Sequence, residues 1–138
     1  THPRTRKRIE ALTETKLHAK IQFLKPFGFF DYNHLQIHAF CVISDSGTIS
    51  EESSILSFPA ITVRNAMERP EALDSGNIIL TGLNPETIVQ AIKVVTEEKA
   101  SQREHTIPAE YEIENVSQRV VKLIVGTAKL SHIWDGIN

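Results

Sequence analysis

The chain has 138 residues, the length of one ordinary domain, with 41% hydrophobic and 23% charged residues, so a packed core is expected and disorder is excluded. A net charge of −2 and a pI near 6.3 give no electrostatic footprint for nucleic acid or for an anionic membrane surface as partner. No apolar run could span a bilayer, no signal peptide opens the chain, and the lone Cys41 offers no disulfide framework, which fits a reducing, cytoplasmic compartment.

Pro3, followed by charges, reads as a helix start, with Ile9, Leu12 and Leu17 as the apolar stripe. Arg4, Arg6, Lys7 and Arg8 read either as a solvated face or as helpers of His2 in holding an anion. Residues 19–24 read as a strand that ends at the Lys25-Pro26-Phe27-Gly28 turn. Residues 29–39 read as a short helix with Phe30, Leu35 and Ala39 inward. His34 and His38 stand four apart, a metal-ligand spacing, but no third ligand accompanies them; exposed or capping histidines, and no metal, are expected.

The chain is organised around Ser44-Asp45-Ser46-Gly47-Thr48-Ile49-Ser50-Glu51-Glu52. Phe40-Cys41-Val42-Ile43 before it is an apolar run of strand length, and Ile49, Ser53 and Leu56 after it recur at helical spacing. The stretch therefore reads as strand, tight turn and helix N-terminus, with the helix running from Gly47. Such a turn leaves backbone N–H groups pointing outward with the positive helix end behind them. Gly47 lets a ligand come close, and Ser46 and Thr48 add hydroxyl donors. An anion, most often phosphate, suits this place. Glu52 lies one turn further, where a carboxylate can accept from the hydroxyl pair of a sugar. Helix capping without any ligand is the competing reading of the same residues.

Residues 59–64 read as a second strand. Arg69-Pro70-Glu71 opens a short helix, with Arg69 at the cap turned toward Glu68 or toward a phosphate over the Ser46 turn. Asp74-Ser75-Gly76 ends that helix, and residues 78–80 form a last strand. Asn84-Pro85-Glu86 supplies cap, first position and first-turn acid for the next helix, whose inner face is Ile88, Ala91, Ile92 and Val95. Residues 105–112 read as a loop. Asn115-Val116-Ser117 opens a final helix with Val116, Val120, Leu123 and Ile124 as its apolar face and Gly126 as its stop; Trp134 beyond it is expected to pack on something. Strands alternating with helices through short connections predict an α/β, Rossmann-like parallel sheet with helices on both faces and a ligand at the carboxyl ends of the strands.

Asp45-Ser46-Gly47, Glu51-Glu52, the strand at residues 59–64 and Glu68-Arg69-Pro70-Glu71 together resemble the non-hydrolysing UDP-N-acetylglucosamine 2-epimerases. That family carries Asp-Ser-Gly-Gly-x-x-Glu-Glu, a short strand and Glu-Arg-Pro-Glu at about this separation. The resemblance implies a truncated, single C-terminal domain over residues 1–138 of a glycosyltransferase-B type fold, more than doubled in length by what would precede it. It implies an isomerase that inverts carbon 2 of a UDP-linked N-acetyl amino sugar by eliminating and re-adding UDP, for cell-surface polysaccharide precursors. It implies no cofactor. The proton-moving carboxylates of the family lie in the absent half, so no catalytic residue is expected in this segment and the segment alone is expected to be inactive.

What this segment would supply is a grip on UDP: Ser46, Gly47 and Thr48 on the diphosphate, Glu52 on the ribose, and Arg69 on phosphate charge as it grows. Phe27 and Tyr32 match the loop and helix start that hold the uracil base, with core packing as the alternative for Phe27. His2 matches a histidine near the nucleotide and is a candidate contact. Thr48 replaces the common second glycine and Ser50 a frequent glutamine, as in the branch leading to UDP-N-acetyl-L-fucosamine. The expected partners are a UDP-sugar and either further copies of the chain or an N-terminal domain. A nucleotide-sugar-binding or assembly fragment without chemistry of its own is the alternative.

Overall fold

The computed structural model describes residues 3–11, 17–67, 69–102 and 105–134, the side chains of residues 3, 4, 6 and 132 excepted. The expectations for His2, Leu12, Glu68 and the side chains of Arg4 and Arg6 lie outside the described residues. The chain divides into two compact units, Thr1–Ala39 and Phe40–Asn138.

The first unit carries two helices, α1 (Pro3–Glu10) and α2 (Phe29–Ile37). The strand expected at residues 19–24 does not form: a turn at residues 19–20 leads into irregular chain with Ile21, Phe23 and Leu24 exposed. A strand persists only where a neighbour takes its backbone groups, and no strand of this unit is among the described residues. α2 follows the extended Gly28 and ends at His38, whose N–H donates to His34 O at 3.2 Å. Two of the three residues expected to face inward do not, while Ala39 is half-buried. Phe30 is 84% exposed and Leu35 is also exposed, while Gln36 is the buried residue of the helix. The aromatic and aliphatic positions satisfy the helical period but stay exposed, Phe30 meeting only the edge of Phe29 among the aromatic rings of the described residues.

The second unit is built on a parallel sheet of β1 (Val42–Ser44), β2 (Ala60–Thr62) and β3 (Ile79–Leu80) in the order β1-β2-β3. Ser44 pairs with Thr62 and Thr62 with Leu80, which aligns the carboxyl ends of all three strands. α3 (Ile49–Leu56) and α4 (Glu71–Asp74) connect successive strands, and α5 (Pro85–Ala100) follows β3. The alternating faces of β2 divide the core. Ala60 packs with Ile49, Phe58, Ala72 and Ile78 under α3 and α4, whereas Ile61 packs with Ala91 and Val95 of α5. Both faces are therefore covered, which is why β2 reads as a short apolar run rather than an alternating one.

Local chemistry terminates each element. α3 stops at Ser57, which takes the left-handed conformation at φ 54°, and Lys99 Nζ of α5 donates to Ser57 O at 2.6 Å. α4 stops at Gly76, φ 76°. α5 opens with Asn84 Oδ1 accepting from Thr87 N at 3.0 Å and with Pro85 at its first position, where the missing N–H costs nothing. At the amino end of the sheet, His105 Nε2 donates to Ser54 O at 2.7 Å and Asn77 Nδ2 to Thr106 O at 2.8 Å, pinning the segment after α5.

Beyond it, the expected loop contains a short 3-10 turn at Ala109–Tyr111, and two helices follow, α6 (Val116–Thr127) and α7 (Ser131–Trp134). Gly126 is not the stop: α6 runs through it to Thr127 with Ala128 as its cap, because Gly126 keeps a negative φ and Thr127 Oγ1 closes the last turn on Leu123 O at 2.7 Å. Val116, Val120, Leu123 and Ile124 are exposed rather than packed, and Trp134 is likewise exposed. No described helix is long and apolar enough to cross a membrane.

Candidate functional site

Parallel strands that end together leave a crevice above their carboxyl ends, where the chain must turn into the next helix. At β1 that turn is Asp45–Thr48. Ser46 N donates to Ser44 Oγ at 3.0 Å, which folds the chain back over the end of the strand. The Ser46 and Thr48 hydroxyls lie 3.0 Å apart, and Thr48 Oγ1 donates to Glu52 Oε1 at 2.8 Å. The helix starts at Ile49, two residues later than expected, with Thr48 at the cap position. The Thr48 side chain makes no capping bond because it is turned to Glu52, so the first amides of α3 are left to face outward. Their partial positive charge is what an anion would meet.

Two arginines flank this turn. Arg69, just before α4, ion-pairs with Glu51 of α3 through Nη1 and Oε1, with half of its side chain exposed. The sequence had offered Glu68 or a phosphate as its partner; the structure gives it Glu51, on the same helix whose N-terminus forms the turn. Glu51 Oε2 and Glu71 Oε2 are buried without hydrogen-bond partners among the described residues, and the Tyr111 phenol lies close to both carboxylates. Burial first, then the carboxylates of Glu51 and Glu71, push the Tyr111 phenol above its ordinary value. Arg64 is the second arginine: a Cβ placed on Gly47 would stand 3.6 Å from Arg64 Nη1. Arg64, Gly47, Ser46, Thr62, Met67 and Arg69 line a recess of about 10 Å³, the space of one water molecule. Thr62 is 1% exposed, and its Oγ1 is buried with no partner among the described residues.

The structure thus brings Ser46, Gly47, Thr48, Glu52 and Arg69 together in the second unit. Phe27 and Tyr32 belong to the first unit, both partly exposed, Phe27 in the loop before α2 and Tyr32 within it. The His34 and His38 rings meet edge to face with centroids 4.3 Å apart, and no cluster of three metal-ligating side chains occurs among the described residues. Sequence reasoning missed Glu51, Thr62, Arg64 and Tyr111. Arg64 carried a usable signal, a cation directly after a strand that borders the turn; Tyr111 carried none, since its place depends on the fold of residues 105–112. A larger cavity, about 620 Å³, lies at the opposite, amino end of the sheet between Ser57, Asn77, Lys99 and His105. Three of its lining side chains are engaged within the protein: Lys99 donates to Ser57 O, His105 to Ser54 O and Asn77 to Thr106 O.

A family model described as UDP-N-acetylglucosamine 2-epimerase matches residues 1–125. The UDP-N-acetylglucosamine 2-epimerase of Methanocaldococcus jannaschii is 36% identical over 101 residues, covering 71% of this chain but 28% of that protein. The structure of the Rickettsia bellii enzyme of that name superposes on 96% of this chain with a TM-score of 0.75 and 40% identity, and 36% of that protein is covered. A crystal structure of the M. jannaschii enzyme in complex with UDP-GlcNAc and UDP superposes with a TM-score of 0.73 at 31% identity over 90% of this chain and 34% of that one. The chain therefore spans about a third of the length of the relatives it matches. Its three-stranded parallel sheet with helices on both faces is part of a glycosyltransferase-B type fold.

Proposed function

The chain belongs to the UDP-N-acetylglucosamine 2-epimerase family, and from that premise we propose that it forms the UDP-gripping part of an enzyme that inverts carbon 2 of a UDP-linked N-acetyl amino sugar. The observation that carries this reading is the uncapped N-terminus of α3 at the carboxyl end of a parallel strand, flanked by the Ser46 and Thr48 hydroxyls and by Arg69 on its Glu51 tether. In the proposed reaction the proton on carbon 2 is removed and UDP leaves carbon 1 with the electron pair of the sugar–oxygen bond, giving an unsaturated sugar; UDP then adds back at carbon 1 while a proton is delivered to the opposite face of carbon 2. Negative charge grows on the diphosphate as that bond breaks. Preorganised donors aimed at such a leaving group lower the barrier because they need no rearrangement at that moment.

Ser46, the Gly47 amide and Thr48 bond the diphosphate in this reading, and Arg69 balances its charge. Glu52 takes the ribose hydroxyls while its Oε1 is held by Thr48. Phe27 and Tyr32 are proposed for the uracil base, since each offers a partly exposed ring face. His2 is proposed as a further ligand contact. The exposed apolar residues of α6 support a protein partner as well, either an N-terminal half or a second copy. Calorimetric titration of the chain with UDP tests the core of the reading. Binding that Ser46→Ala and Gly47→Ala weaken is the expected result; no UDP binding at millimolar concentration refutes it.

A further inference from the structure

We infer that Tyr111 is a positioning residue that lets Arg69 exchange partners: when an anion draws the guanidinium away from Glu51, the Tyr111 hydroxyl donates to the carboxylate left behind. This goes beyond the proposed function and rests on it only for the anion, a diphosphate. Half of the Arg69 side chain is exposed, so it can turn outward without disturbing the core. Glu51 has less freedom. It is 27% exposed, and its Oε2 is buried without a partner among the described residues, as is Oε2 of Glu71. The two acids stand in the first turns of α3 and α4, helices that share the core cluster of Ile49 and Ala72. Departure of Arg69 would leave the Glu51 carboxylate uncompensated beside a second one. A charge abandoned in such a place is far costlier than one in water. That cost would count against any anion that competes for Arg69.

Tyr111 is held where such a donor is needed. Its ring packs against the cluster of Ile49, Phe58, Ala60, Ala72 and Ile78. The chain leading to it is pinned by His105 Nε2 on Ser54 O at 2.7 Å and by Asn77 Nδ2 on Thr106 O at 2.8 Å. Tyr111 N then donates to Pro108 O at 2.9 Å and closes the 3-10 turn. The phenol oxygen is buried, close to Glu51, Glu71 and Arg69, with the Ala72 amide directed at it. An oxygen that accepts from an amide keeps its own proton for an acceptor, and an ionised carboxylate can only accept. Packing already fixes the ring, so little side-chain freedom is lost when the phenol bonds Glu51. Phenylalanine would fill the same space and offer no proton.

The test is a double-variant cycle. The chain, Tyr111→Phe, Glu51→Gln and the double variant are titrated calorimetrically with UDP, inorganic pyrophosphate and uridine. Tyr111→Phe should lose about 5- to 30-fold in affinity for UDP and pyrophosphate, the loss of one hydrogen bond to a charged group, and less than about twofold for uridine. In the Glu51→Gln background the same change should cost less than about twofold, because no charge is left to be taken up. Glu51→Gln alone should bind pyrophosphate at least as tightly as the unaltered chain, since Arg69 is released; this arm carries the test should Tyr111→Phe not fold. Equal losses from Tyr111→Phe in both backgrounds would make Tyr111 a purely structural residue and overturn the assignment. So would an unchanged affinity in Tyr111→Phe, or a tenfold loss in Glu51→Gln. UDP binding without the coupling would leave the proposed function standing and defeat the exchange. Coupling seen with pyrophosphate, without any UDP binding, would uphold the exchange and defeat the nucleotide reading. Failure of the unaltered chain to bind either would overturn both.

Discussion

Replacing Thr62 with valine should make the protein more stable, the reverse of what most core substitutions do. Thr62 is the last residue of the central strand, 1% exposed, and its hydroxyl has no partner among the described residues. Valine has the same branched shape and an equal preference for strand backbone, so the packing against α3 is retained. What changes is the removal of an unpaired hydroxyl from the interior, whose desolvation costs about 1–3 kcal/mol. Allowing for imperfect replacement of a hydroxyl by a methyl, a net gain of about 1–2 kcal/mol is expected, or a rise of roughly 3–10 °C in the unfolding midpoint for a chain of this size. Far-UV circular dichroism melts and urea titrations of the ligand-free chain measure it. A lowered midpoint would refute the reasoning: it would mean that the hydroxyl is satisfied in the folded chain.

Arg69→Ala should weaken UDP by about 1–3 kcal/mol and leave uridine nearly unchanged if the guanidinium meets phosphate, whereas equal losses would show that it serves only to hold Glu51. Gly82→Ala should destabilise the fold by about 1–2 kcal/mol in urea titration, because Gly82 sits at φ 61° and the new Cβ would come 3.1 Å from Asn65 Oδ1; an unchanged midpoint would show that the turn after β3 relaxes freely. Tyr111 holds its proton to higher pH when folded than when unfolded, so its stabilising share is full below about pH 10 and is lost as the pH rises through the folded value. Stability measured against pH should therefore fall on the alkaline side, and Tyr111→Phe should flatten that fall.

The sheet and its three covering helices were legible because each rests on local chemistry. Asn84-Pro85 marks the start of α5, Gly76 the end of α4, and the apolar pair Ala60-Ile61 a strand buried on both faces. The turn at Ser46 was legible for the same reason, since hydroxyls and a glycine between strand and helix state their own geometry. Residues 19–24 failed because strand composition describes a fit to a partner and not a preference of the backbone alone. The inward faces assigned to α2 and α6 failed similarly: periodicity says that a helix has an apolar side, and says nothing about whether anything covers it. Glu51 was read only as part of a motif. That it reaches Arg69, eighteen residues on, depends on α4 lying against α3, a tertiary fact with no local trace. Gly126 misled because a helix tolerates a glycine for about 1 kcal/mol when the flanking residues favour continuing.

The two ends of the sheet are held very differently. At the amino ends, Lys99 to Ser57, His105 to Ser54 and Asn77 to Thr106 lash three separate segments together. At the carboxyl ends, the turn and Arg69 are tied mainly among themselves and to Glu51 and Glu52. Opening motions should follow that gradient, with amide exchange slowest in β2 and at the base and fastest in the turn residues above it. The crevice can then adjust to a ligand by fractions of an ångström without loosening the strands that carry it. Protection gained on ligand binding should appear as a narrow band at residues 46–52 and 62–69, on a base whose exchange rates do not move.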